Sequence, residues 1–444
     1  MKKHKKLTHK NFSNDKSKTS DSTLSNSSEK VESRESGTHK NKTIFGFFPK
    51  YSYLIFSFII FISGVYVGKY YWQSEDSKDL DDLEPSTRKI LPHSEPEDFY
   101  PVAEFSRNSA ILLGCHDYIR LMPKLFGDIA KAINGKVPLF GIVSDESQAK
   151  AGNELIKRLG LKPESMRFII NQADSIWIRD YAPFILRYDE ENLLMVDAKY
   201  RTRDELQARK KDDFMGVKFA KMFDLPVRSI PLVLEGGNFI SNGDGLLLTS
   251  AKTLQVNQEG KAAYSNPQLV SMFHDYLGVD GVFAVAPLQG EPNGHIDMFM
   301  TMVAKNIAVI GEIPPSEDPT NSARLNETAR FVSTIPTSAG PIQVKRIPMP
   351  PKWGEDWRSY TNVIFANGIL LMPSFSDVDP SLEQRAVQVY QSVLPPGWIV
   401  KKINCDNLVK LHGQLHCISY NLPKFLPIDN LIKRSFPNKF LSKL

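Results

Sequence analysis

The chain has 444 residues, 41% apolar and 24% charged, enough for one large α/β domain with appendages or for two ordinary domains. Its three cysteines lack tight spacing, which excludes a disulfide framework and a C-x-x-C metal site. The formal charge of +5 is uneven: residues 1–50 hold twelve Lys/Arg against five Asp/Glu and contribute +7, leaving −2 for the rest, so no nucleic-acid partner is expected.

Residues 1–43 are rich in Lys, Ser, Asn and Thr and poor in large apolar side chains. Such a segment cannot bury enough surface to offset its ordering entropy, and a disordered tail is expected. Next comes 51-YSYLIFSFIIFISGVYVG-68, uncharged and bounded by Lys50 and Lys69. Its 18 residues reach the lower end of a bilayer span, and Tyr51, Tyr53, Tyr70, Tyr71 and Trp72 stand where rings favour the membrane interface. A buried core helix and a cleaved signal peptide are the other readings. The flanks favour an uncleaved transmembrane anchor over residues 50–70, with the Lys-rich tail cytoplasmic and the main domain on the exocytoplasmic face. Residues 73–99, acidic and carrying Pro85, Pro92 and Pro96, read as a linker.

From residue 100 to about 435 the texture is that of one α/β domain. Five turn residues each feed a short apolar run: 108-NSAILLG-114, 192-NLLMVDA-198, 244-DGLLLTS-250, 306-NIAVIGE-312 and 367-NGILLMP-373. The last three begin 62 and 61 residues apart, so a repeated unit in five copies is expected. Helices are expected over 203–223 and 381–394, the second starting at Ser381.

Four polar clusters stand beside these elements. In 175-SIWIRDYAPF-184, Asp180 precedes Pro183 by three residues and is either a turn cap or a site carboxylate. In 234-LEGGNFI-240, Glu235 ends an apolar run before two glycines, which permit close backbone approach or positive φ; a bulged hairpin is the plain alternative. In 293-NGHIDMFMTMV-303, His295 and Asp297 would share one face of an extended segment, an arrangement suited to acid–base work. Asn362 lies before the fifth run, and the fourth cluster is 412-HGQLHCISY-420 around Cys417. His412 and His416 at i, i+4 invite a zinc reading. Gln414 is not the Glu of H-E-x-x-H, however, and Gly413 and Ile418 disfavour a helix. Taken alone, Cys417 reads first as a small buried hydrophobe.

The ordered set W-x-R-D-Y-x-P, E-G-G-N, G-H-x-D, Y-x-N-x-x-x-x-N-G and H-C-I resembles the guanidine-modifying enzymes, and among them the bacterial peptidylarginine and agmatine deiminases. The resemblance runs from Glu104 to Pro423. It implies a five-bladed α/β propeller (pentein) of ββαβ units with an axial site, working without metal or organic cofactor. It implies Cys417 as nucleophile, His295 as general acid/base, Asp180 and Asp297 as carboxylates gripping a guanidinium, and Glu235 as the acid orienting His295. Asn362 and Trp177 fall on the substrate side. Arg201 and Arg203 form an R-x-R suited to a substrate carboxylate, or are two solvated charges. A planar guanidinium presents paired N–H donors to carboxylates, and a thiolate is nucleophilic enough for its carbon. The expected reaction is hydrolysis of arginine, in a peptide or with a free carboxylate, to citrulline and ammonia. Agmatine deimination and a non-catalytic arginine-binding module are the alternatives. The H-G-Q stretch departs from the glycine-rich run the family shows before H-C.

Overall fold

The computed structural model describes residues 99–188, 192–200, 209–259 and 263–437. The expected tail, the 50–70 segment and all of the linker but Phe99 lie outside the described residues. Among the described residues no helix is long and apolar enough to cross a membrane.

Five sheets repeat one pattern, an antiparallel strand pair followed by a helical crossover to a parallel strand. In chain order, Phe184–Arg187 runs antiparallel to Leu193–Lys199, which is parallel to Val227–Val233, with Tyr100–Pro101 added at the edge. Ile240–Ser241 pairs with Leu246–Ser250, and that with Gly281–Val285. Met300–Ala304, Ile307–Glu312 and Gln343–Pro348 form the third sheet, and Ile364–Phe365, Ile369–Ser374 and Ile399–Asn404 the fourth. The fifth joins the two ends of the domain: Ser419–Pro423 is antiparallel to Asn108–Gly114, which leads in parallel to Leu139–Val143 and Arg167–Ile170.

All five apolar runs are the second strand of this pattern. Each sits between two neighbours and is buried on both faces, which is why it reads as a continuous apolar run rather than an alternation. The helix Pro380–Val393 starts one residue before Ser381, because Asp379 is the cap and its carboxylate accepts from Ser381 N at 2.8 Å. The expected helix over 203–223 is found only in part, as Lys210–Asp213 and Met215–Phe223, and residues 201–208 are outside the description.

The 293–303 reading needs correction. Ile296–Met298 is a 3-10 turn, and the strand starts at Met300. Side-chain contacts from elsewhere override the strand pattern: Glu291 Oε2 accepts from His295 N at 2.9 Å and Asn238 Oδ1 from Ile296 N at 3.0 Å. Cys115 and Cys405 are buried among apolar residues of the largest core cluster, and burial pushes both thiols up.

Candidate active site

Cys417 lies two residues before the strand that closes the fifth sheet. Leu415 and Ile418 on either side of the His416–Cys417 pair are fully buried in the core, so the dipeptide is held by its neighbours. Its backbone is pinned from two directions: Cys417 O accepts from Arg179 N at 3.2 Å, and Ile418 O accepts from Gly114 N at 2.9 Å. The thiol meets Asn362, whose Nδ2 lies 3.5 Å from Sγ, while Asn362 Oδ1 accepts from His416 N at 2.8 Å.

The four other candidates come from three separate stretches. Asp180 sits in the short helical turn Ile178–Tyr181, which ends at Ala182 in extended backbone before Pro183. Its Oδ1 accepts from Gly237 N at 3.2 Å and lies 3.8 Å from His295 Nδ1. Glu235 is extended and leads into the turn Gly236–Asn238; its Oε2 meets His295 Nε2 at 2.7 Å. The glycines serve close approach: a Cβ on Gly237 would come within 2.6 Å of His295 Nδ1 and 3.0 Å of Asp180 Oδ1. Asp297 turns the other way and meets His416 Nδ1 at 2.7 Å through Oδ2, leaving its buried Oδ1 without a partner.

Each histidine therefore has both ring nitrogens facing carboxylates, His295 between Asp180 and Glu235, and His416 between Asp297 and Glu104 at 2.6 Å. For His416 both oxygens are within hydrogen-bond distance, which calls for the imidazolium; His295 has one such acceptor, Glu235, and Asp180 at ion-pair distance. Burial opposes the charge, but the carboxylates win and hold both histidines above the ordinary value, His295 well above it. Glu104 also pairs with Arg179. Against the cost of burial, Arg179 and His416 bring its carboxyl down to about 2. The Cys417 thiol moves the opposite way, pushed well above the usual range by burial and then by Asp297 and Asp180.

Trp177 is half-buried and packs on Gly413, where any Cβ would overlap its ring, so it backs the loop leading to Cys417. Arg201 and Arg203 lie outside the described residues. The H-G-Q stretch has its own anchors. His412, at φ +62°, pairs with Asp356 at 2.7 Å, and buried Gln414 accepts from Ser359 N at 3.0 Å. His412 and His416 thus face different partners. Sequence reading missed Glu104, Arg179 and the carboxylate contacts of His416. Arg179 and His416 lay inside quoted motifs, whereas Glu104 stands in an irregular segment with no local pattern.

The model of the Porphyromonas-type peptidyl-arginine deiminase family matches residues 104–423. The agmatine deiminase of Stutzerimonas stutzeri is 24% identical over 336 residues, covering 67% of this chain and 86% of that protein. Among solved structures, the agmatine deiminase of Enterococcus faecalis superposes with a TM-score of 0.64 at 20% identity, covering 76% of this chain and all of that one. The C. jejuni agmatine deiminase gives 0.59 at 19% identity, over 73% and 96% of the two chains. These likenesses identify the α/β fold of such deiminases.

Proposed function

The chain belongs to the Porphyromonas-type peptidyl-arginine deiminase family, hydrolases of guanidino C–N bonds, and from that premise we propose that it deiminates a small guanidine such as agmatine to a ureido product and ammonia. The observation that carries the reading is the pair of buried carboxylates, Asp180 and Asp297, which both bear on the Cys417 thiol. A bound guanidinium pairs with both, and its positive charge opposes the two carboxylates that, with burial, keep the thiol neutral.

In this reading the thiol proton leaves to solvent as the cation binds. Sulfur bonds to the guanidinium carbon, and the tetrahedral adduct breaks its C–N bond as His295 gives its proton to departing ammonia. An amidino-thioether remains on Cys417. Neutral His295 then takes a proton from water as the oxygen adds to the same carbon. Collapse breaks the C–S bond, the product's hydroxyl proton returns to sulfur, and the ureido product leaves. Glu235 holds His295 in place throughout. The chemistry asks for no further group.

Agmatine ranks ahead of peptidyl arginine because the curated relatives carry the agmatine deiminase name. Peptidyl arginine is favoured by the R-D-Y-A-P run and by Arg201 and Arg203. We read the five like sheets, one uniting both ends of the domain, as units around a common axis. The apolar 50–70 segment supports a single-pass anchor with this domain on the exocytoplasmic face. The test is to incubate the purified chain with agmatine, free arginine and peptides carrying internal or C-terminal arginine, and to measure ureido product. Product from peptides alone would overturn the small-guanidine assignment.

A further inference from the structure

We infer that His416 is a positioning residue for substrate capture: it clamps one oxygen of Asp297 so that the other is presented to a guanidinium N–H. The inference rests on the guanidine-hydrolase reading. A carboxylate turns easily about its last torsion, so an aspartate with one partnered and one bare oxygen needs something to fix it. Asp297 is 2% exposed; its Oδ2 is 2.7 Å from His416 Nδ1, and its Oδ1 is buried without a partner. A bare buried acceptor is costly unless a ligand's donor fills it.

His416 is itself held. Its Nε2 lies 2.6 Å from Glu104 Oε2, and the other Glu104 oxygen accepts from Arg179 Nη1. Arg179 in turn packs over the Tyr420 ring at 5.7 Å and donates its backbone N–H to Cys417 O. The chain of contacts Asp297–His416–Glu104–Arg179 thus begins at the carboxylate that would hold the substrate and ends on the backbone of the nucleophile. It fixes the two against each other. Breaking such a set destabilises the fold, but well-packed apolar residues could hold this region as firmly, so its placement beside the thiol points to registration.

The test uses the full chain and agmatine, with steady-state kinetics normalised to the folded fraction measured by circular dichroism. His416→Phe keeps the ring and removes both contacts. We expect KM to rise at least tenfold and kcat/KM to fall about a hundredfold, the loss typical of a displacement of about 1 Å. His416→Asn can still donate to Asp297 and should recover most of the KM. Glu104→Gln should fall between. A merely structural role would lower the folded fraction and leave KM unchanged, and that result for His416→Phe overturns the inference. If His416→Phe does not fold, unchanged KM in both His416→Asn and Glu104→Gln overturns it. Absence of ureido product from the wild-type chain with every guanidine overturns the hydrolase reading and this inference with it.

Discussion

Gly237 lies so close to His295 that a methyl group on it would stand 2.6 Å from the imidazole Nδ1. The same methyl would be 3.0 Å from Asp180 Oδ1, so the backbone of the E-G-G-N turn is in effect one wall of the His295 site. Gly237→Ala must therefore push the imidazole or the carboxylate aside. Its φ is not positive, so the backbone itself tolerates alanine. We expect kcat/KM to fall about a hundredfold. The melting temperature should stay within a few degrees of wild type, and a large fall in it would place the defect in folding.

The two carboxylates beside Cys417 should have opposite effects on two reactions of the same sulfur. Burial, then Asp297 and Asp180, hold the thiol protonated, and on the proposed reading the same two carboxylates take the guanidinium. Asp180→Asn should then lose at least a hundredfold in turnover. Alkylation of Cys417 by iodoacetamide at pH 7 should become several-fold faster, because the thiolate is easier to form. The sign also sets the wild-type profile. A raised thiol pKa means alkylation grows as pH rises, while kcat, reporting the enzyme with a cation bound, should persist at pH values where alkylation has faded. Parallel loss of both reactions in Asp180→Asn would contradict this.

Gly413 is a second place where the absence of a side chain is structural. Gly413→Ala would drive a methyl into the Trp177 ring and shift the loop that runs through Gln414 to Cys417. The expected result is a fall in kcat that Trp177→Phe partly restores in the double variant. Independent, additive effects would show that the two do not share a contact.

Much of this was legible in the sequence because it is local. Each apolar run follows its own turn residue, and the five runs proved to be the five buried second strands. Asp180, Glu235, His295, Asp297, Asn362 and Cys417 came from motifs, and the fold brings them to one place. What sequence could not give was the set of contacts behind them. Glu104 meets His416 across 312 residues of chain, and no periodicity records such a contact. His295 and Asp297 were expected on one strand face, yet Glu291 and Asn238 accept from the backbone N–H groups of His295 and Ile296, and the segment winds into a turn. The proposed anchor over residues 50–70 rests on composition alone.

That anchor makes its own prediction. If residues 50–70 span a bilayer, the full chain should resist alkaline carbonate extraction from membranes, and a chain lacking residues 1–72 should be released. Protease added outside intact cells should reach the domain from residue 100 onward. Protection of that domain would reverse the proposed orientation.

Glu104 should make the domain's stability depend on pH on the acid side. Its carboxyl lies at about 2 against an ordinary 4.5, because Arg179 and His416 outweigh the cost of burying it. A carboxyl lowered by folding stabilises the native state above its unfolded pKa, and that contribution is lost as pH falls through the folded value. The relevant window is therefore about pH 4.5 down to 2, and the full contribution at pH 7 is on the order of 3 kcal/mol. Glu104→Gln should unfold at lower urea than wild type at pH 7, and the two midpoints should draw together as pH drops through that window. His416 works on the other flank. Its raised pKa contributes stability below the ordinary histidine value, lost as pH rises through the folded one, so it does not erase the acid-side convergence. A gap between the two urea midpoints that stayed constant from pH 7 to pH 2 would mean that the Glu104 side chain packs rather than acts through its charge.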